Sequence, residues 1–160
     1  MTLDEAKALI THTCHQLDVS RPRVVAIRGY AGRYRPPTCE IGLPIETFGA
    51  KEVQIRMIVT HELAHYLDHW AIPEKRGPQR KLGHTRSFYD WLLTTIREHY
   101  AAPQEYPWKF EYRRIIRWAI KDGYATTDDL EHAQVLRMVG DLNKKKYEWL
   151  NGLYFAKETA

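Results

Sequence analysis

The sequence predicts a mixed α+β fold, and three observations lead to that class. Short β-branched segments, separated by turn residues, lie between residues 23 and 45. Longer segments with helical periodicity lie on both sides of them. An apolar fraction of 44% and a charged fraction of 28% are ordinary for a soluble globular chain, and 160 residues are enough for one hydrophobic core.

The sheet is predicted from two short segments. RVVAIR at 23–28 is rich in β-branched residues and reads as a strand, and CEIGLPI at 39–45 reads as a second one. Because Pro44 has no N–H to donate to a neighbouring strand, the second strand is expected at a sheet edge. Gly29 and Gly32 are expected to bracket a turn between the two strands.

Apolar spacing predicts a helix near the N-terminus and several more after the strands. These helices are expected at about 2–17, 49–70, 84–100, 109–121 and 127–150. We expect residues 1–100 to form the core and residues 101–160 to form a helical C-terminal extension, which resembles no pattern that we recognise.

The composition indicates a cytoplasmic protein without a membrane partner. No apolar stretch approaches the roughly 18–20 residues that span a bilayer. Asp4 and Glu5 lie where a secretory signal would be basic and then apolar. Cys14 and Cys39 form neither a C-x-x-C pair nor a disulfide framework, so reduced thiols are expected. The sequence does not indicate an oligomeric state.

The stretch THELAHYLDHW at 60–70 contains the pattern H-E-x-x-H. On a helix, residues turn by about 100° each, so His61 and His65 share one face and both imidazoles can reach one metal ion. The opposite face carries an apolar stripe: Ile55, Val59, Leu63, Tyr66, Leu67 and Trp70. A polar surface helix is the alternative, but the uncharged residues around the motif favour a zinc site.

The third ligand could come from His69 or from His84. A helix rises about 12 Å between His61 and His69, too far for one ion at Zn–N distances of roughly 2 Å, so His69 is expected to support the site or to be exposed. His84 follows Gly83 and shares a helix face with Phe88, which places it on the inward side. We therefore predict that His84 is the third ligand.

Three motifs together resemble the SprT-like zinc metallopeptidases, the family that includes the Spartan DNA–protein crosslink proteases. HELAH at 61–65 is one of them. CEIGL at 39–43 resembles the family's C-x-I-x-L edge strand, and GHTRSF at 83–88 is similar to its G-H-x-x-x-F. The order and approximate spacing agree over residues 22–98, although no C-terminal zinc ribbon can be built from the two cysteines.

The resemblance implies a minimal zincin, with the H-E-x-x-H helix and a second helix that carries the third ligand. One zinc ion per chain would be bound by His61, His65 and His84, and Glu62 would be the general base of peptide hydrolysis. A protein or peptide substrate would add to the edge strand. The residues expected to bind it are Cys39, Glu40, Ile41, Gly42 and Leu43.

Basic residues suggest DNA as a further partner. The net charge is +4, and five basic side chains fall in the segment that leads to and follows His84: Lys75, Arg76, Arg80, Lys81 and Arg86. Resemblance to Spartan implies that DNA held there would stimulate cleavage; an ordinary solvated loop is the alternative. Two rival functions stay open: a nucleic-acid-binding module with a structural or vestigial zinc, and metal-dependent hydrolysis of nucleic acid.

Overall fold

Four helices and a three-stranded sheet make up the computed structural model, which describes residues 1–48, 51–71 and 84–108. The predicted mixed α+β class is confirmed. Within the described residues, no helix combines the length and the apolar character that crossing a membrane requires.

The helices begin where the sequence supplies caps. Helix α1 spans Leu3–Gln16, and Thr2 with Glu5 forms a capping box at its start. A short α2 (Ile45–Phe48) precedes the long α3 (Glu52–Ala71), and α4 spans Arg86–His99. The Thr85 side chain caps α4 by accepting a hydrogen bond from the Phe88 backbone N–H. His84 therefore lies just before α4, whereas the sequence predicted that it opens the helix.

The sheet has the strand order β1-β3-β2, in which β1 is Arg23–Ala26, β2 is Arg33–Arg35 and β3 is Glu40–Leu43. Strand β1 pairs in parallel with β3, and β2 pairs antiparallel to β3. A short 3-10 helix at Pro36–Thr38 joins β2 to β3. Strand β2 was missed from the sequence, which indicated only a turn there.

The expected edge position of the second predicted strand is wrong, because β3 is the middle strand. Its backbone is paired with β1 on one side and β2 on the other, so Cys39, Glu40, Ile41, Gly42 and Leu43 cannot accept an added substrate strand. Pro44 does not place this strand at an edge, because the proline follows the last residue of β3. Pairing continues as far as the Ile27 N–H, which donates to the Leu43 carbonyl at 2.9 Å.

The hydrophobic core lies between the sheet, α1 and α3. Ile10 of α1, Ile41 and Leu43 of β3, and Val59 and Leu63 of α3 are all at most 1% exposed. Helix α3 also packs along α4. The predicted apolar stripe of α3 is buried except at Trp70, which is partly exposed.

A buried histidine joins three helices at one end of this core. His99, at the end of α4, is 4% exposed. Its Nε2 lies 2.9 Å from Thr13 Oγ1 of α1, and its Nδ1 lies 2.8 Å from Thr60 Oγ1 of α3. Burial, followed by the nearby Arg56 charge, lowers the pKa of His99 from 6.5 to about 3, so the imidazole is neutral.

The chain after α4 is described as far as residue 108. A 3-10 helix spans Pro103–Glu105, and Tyr106 and Trp108 are fully buried. The predicted helices at 109–121 and 127–150 lie outside the described residues, as do the boundary and role of most of the 101–160 extension.

Candidate metal centre

Three histidine side chains converge where α3 passes the start of α4. Each of His61, His65 and His84 offers one ring nitrogen, and these nitrogens all lie within 4.8 Å of one another. Nε2 of His61 and Nε2 of His84 are 3.0 Å apart. The three pairs of ring centroids are separated by 4.9, 5.0 and 5.0 Å, so the rings form an almost equilateral triangle.

Helix α3 brings two of these imidazoles together because residues four apart lie on the same face. His84 comes from a separate segment, so its position depends on how α4 is attached to α3. The Ser87 hydroxyl, in the first turn of α4, donates a hydrogen bond to Oδ1 of Asp68 on α3. Asp68 is 1% exposed, and this partly buried contact holds the start of α4 against α3.

Phe88 supports all three imidazoles from the protein interior. Its ring, which is fully buried, stacks on His65 with a centroid distance of 4.1 Å and an interplanar angle of 24°. It lies 5.0 Å from the His61 ring and 4.9 Å from the His84 ring. This apolar surface beneath the three imidazoles restricts the rotation of the rings and excludes water from that side.

The three imidazoles fit a zinc ion by donor chemistry and by spacing. Tetrahedral coordination with Zn–N bonds of about 2.0 Å places ligand nitrogens roughly 3.3 Å apart. The observed separation of 3.0 Å between Nε2 of His61 and Nε2 of His84 is close to that value, and a ring nitrogen of His65 lies within 4.8 Å of both. Sites with three protein ligands and one open position are typical of catalytic zinc.

Glu62 follows the first ligand and is 8% exposed. Its side chain lies against the backbone of Gly32, just before β2. A Cβ atom built on Gly32 would lie 3.0 Å from Glu62 Cγ and 3.3 Å from Glu62 Oε1, and it would overlap Cγ2 of Ile58. Glycine at position 32 thus allows the chain to pass directly beside the carboxylate.

His69 does not belong to the cluster of ring nitrogens. This agrees with the prediction that it lies too far along the helix from His61 to share one ion. It is only 2% exposed, so the suggestion that it might be exposed is wrong. Its Nδ1 lies 2.7 Å from the hydroxyl of Tyr34, the central residue of β2. The imidazole therefore connects α3 to the sheet, one helical turn after His65.

Gly32, Tyr34 and Asp68 were not predicted to lie at the site, and Gly32 was expected only at a turn. The only signal for the first two was the alternation in GRYR at 32–35, which is too short to predict a strand. Of the basic residues proposed to bind DNA, Arg86 begins α4, although its side chain is not described. The other four lie outside the described residues: Lys75, Arg76, Arg80 and Lys81.

The site thus combines three imidazoles from two segments, a buried carboxylate beside the first of them, and a strand that runs close to that carboxylate. Comparisons with protein-family models, with curated proteins and with solved structures give no match to this chain.

Proposed function

We propose that the protein is a zinc-dependent peptidase of the SprT-like type. The observation that carries the proposal is the convergence of three ring nitrogens, from His61, His65 and His84, next to a buried glutamate. A purely structural site has no use for Glu62, whereas hydrolysis requires a base at that position.

When bound, zinc supplies Lewis acidity toward water and toward a peptide carbonyl. Glu62 acts as the general base: its carboxylate accepts a proton from the attacking water and later delivers that proton to the leaving amine nitrogen. Its close contact with the Gly32 backbone limits the positions that the carboxylate can adopt. Phe88 and the Asp68–Ser87 hydrogen bond hold the ligands in place through both steps.

Strand β2 is the better candidate for binding an extended substrate, in place of the central β3. In the part of the chain that the structure describes, β2 pairs only with β3, so its outer edge is available. Gly32 and Tyr34 bring this strand alongside α3. A peptide added to that edge would be bound through its main chain, a mode that depends little on side-chain identity.

Replacing Glu62 with glutamine tests the mechanism. The amide is close in shape but cannot take the proton, so proteolysis of unfolded casein should fall by about 10²–10⁴ while zinc content is retained. Glu52→Gln is a matched control, since Glu52 lies on the same helix with its side chain 49% exposed and paired with Arg56. Undiminished cleavage by the Glu62 variant would refute the mechanism.

Metal analysis tests the ligand set. Alanine at His61, His65 or His84 should lower the zinc content of the purified protein, and His69→Ala should leave it at one ion per chain. Loss of zinc from the His69 variant, with retention in the His84 variant, would contradict the assignment. A wild type that holds zinc but cleaves no protein substrate would instead favour the nucleic-acid-binding module with a structural zinc.

A further inference from the structure

Strand β2 contacts the metal-binding helix through the residues that alternate on its inner face. Gly32, just before the strand, lies against Ile58 and Glu62. Tyr34, two residues later, directs its hydroxyl to His69 and packs edge-on against Tyr66, with ring centroids 5.8 Å apart. The strand therefore follows α3 past the residues proposed to bind zinc and activate water.

The spacing of the two contacts supports this alignment. From Glu62 to His69 a helix rises about 10 Å. From Gly32 to Tyr34 a strand advances about 7 Å, which is shorter than the rise of α3 between the two contacts. The tyrosine side chain is long enough to reach across the remaining distance to His69. The two contacts lie on either side of the turn of α3 that carries His65.

The hydrogen bond between Tyr34 and His69 is short and shielded from water. Its oxygen and nitrogen are 2.7 Å apart, and His69 is 2% exposed. Burial raises the pKa of the Tyr34 phenol well above its ordinary value, so the hydroxyl keeps its proton across the working pH range. Besides this bond, β2 is held by its pairing with β3, by the packing of Gly32 and by the ring contact between Tyr34 and Tyr66.

We propose that Tyr34 and His69 are positioning residues that set the distance between the substrate-binding edge of β2 and the metal-binding face of α3. This inference rests on the proposed peptidase function and adds to it the residue pair that positions β2, the strand to which the substrate peptide would bind. Neither residue touches the reacting atoms in this scheme. Their effect is on the binding of an extended peptide, which needs the strand edge at the correct height above the metal.

The test measures hydrolysis of internally quenched decapeptides of mixed sequence, with zinc content and thermal unfolding recorded for each variant. Tyr34→Phe removes only the hydroxyl, and we expect the apparent KM to rise about five- to tenfold with kcat little changed, as for loss of one partly buried hydrogen bond. His69→Leu should give the same increase with zinc retained, whereas His69→Gln, which keeps a polar partner for the tyrosine, should restore most of the binding.

Tyr66→Phe is the matched control. It also removes one tyrosine hydroxyl from the same region. The Tyr66 hydroxyl donates its hydrogen bond to the Ser20 carbonyl, which is not part of β2. We expect lower stability in this variant with an unchanged KM. The double variant of Tyr34→Phe with His69→Leu should bind the peptide no more weakly than either single variant, because both changes break the same bond.

The outcomes separate this inference from the function on which it rests. If the wild type cleaves the peptides with zinc and the Tyr34→Phe variant has an unchanged KM, the positioning role is refuted and the peptidase proposal stands. The positioning role would also be refuted if Tyr34→Phe lowered kcat alone, or if the His69→Leu variant lost its zinc. If the wild type cleaves no peptide, both proposals fail together. Should Tyr34→Phe not fold, the comparison of His69→Leu with His69→Gln decides.

Discussion

Acid should destabilise this protein through His99, whose imidazole is buried between Thr13 and Thr60. Each of these threonine hydroxyls also lies within hydrogen-bond distance of a backbone carbonyl one helical turn earlier, Leu9 for Thr13 and Arg56 for Thr60. Protonation would place a positive charge in a site that is buried from water and lies near the Arg56 charge. The His99 imidazole therefore binds a proton more weakly in the folded protein than in the unfolded chain.

The size of the effect follows from the two pKa values. The pKa is about 3 in the folded protein against 6.5 ordinarily, so between these values the unfolded state binds more protons. Stability contributed by the neutral imidazole is therefore complete above pH 6.5 and is lost as the pH falls toward 3. Linkage at about 1.4 kcal/mol per pKa unit makes the free energy of unfolding about 2 kcal/mol lower at pH 5 than at pH 8.

Urea unfolding measured from pH 5 to pH 8 checks this prediction, with His99→Gln as the comparison. Both proteins should be kept in a metal chelator throughout, so that release of metal in acid does not contribute. We expect the stability difference between them to shrink toward pH 5, because the glutamine amide does not titrate. Parallel pH profiles, or an NMR titration of the His99 ring near pH 6.5, would refute the reasoning.

Three further predictions concern the site and its surroundings. Ser87→Ala removes the donor to Asp68 and should weaken zinc binding by about tenfold, as competition with a chromogenic chelator would measure; unchanged affinity would show that α4 is held by other contacts. Gly32→Ala forces the chain away from α3 and should lower kcat at least tenfold with zinc retained, since misplacement by about 1 Å can cost up to 10² in rate. Full activity in that variant would contradict the contact. If DNA held near His84 stimulates cleavage at low salt, changing three basic residues to serine should abolish the stimulation without loss of zinc; equal rates with and without DNA would refute the idea. Those residues are Arg76, Arg80 and Lys81.

The long helices and the histidine cluster were the predictable part of this structure. Helical periodicity extends over many residues, and a four-residue spacing places His61 and His65 together whatever surrounds them. His84 was predicted to join them because it lies close to the start of the next helix, although the structure places it two residues before that helix. These inferences depend on local geometry, which the sequence expresses directly.

The arrangement of the sheet could not be predicted in the same way. Strand β2 has three residues, two of them exposed arginines, and it exists because β3 pairs with it. A proline marks an edge only if it falls inside the paired stretch, and Pro44 lies one residue beyond the end of β3. The burial of His69 likewise depends on a tyrosine from that short strand, so it is a product of tertiary contacts.

The three histidines come from two separate segments of the chain, and this division has a thermodynamic consequence. His61 and His84 are 23 positions apart along the chain, so an ion held by both would act as a cross-link in the folded state that the unfolded chain lacks. Free zinc at 1,000 times its dissociation constant would add about 4 kcal/mol to the free energy of unfolding. Metal supply would then regulate how much folded protein survives in the cell as well as how active each molecule is.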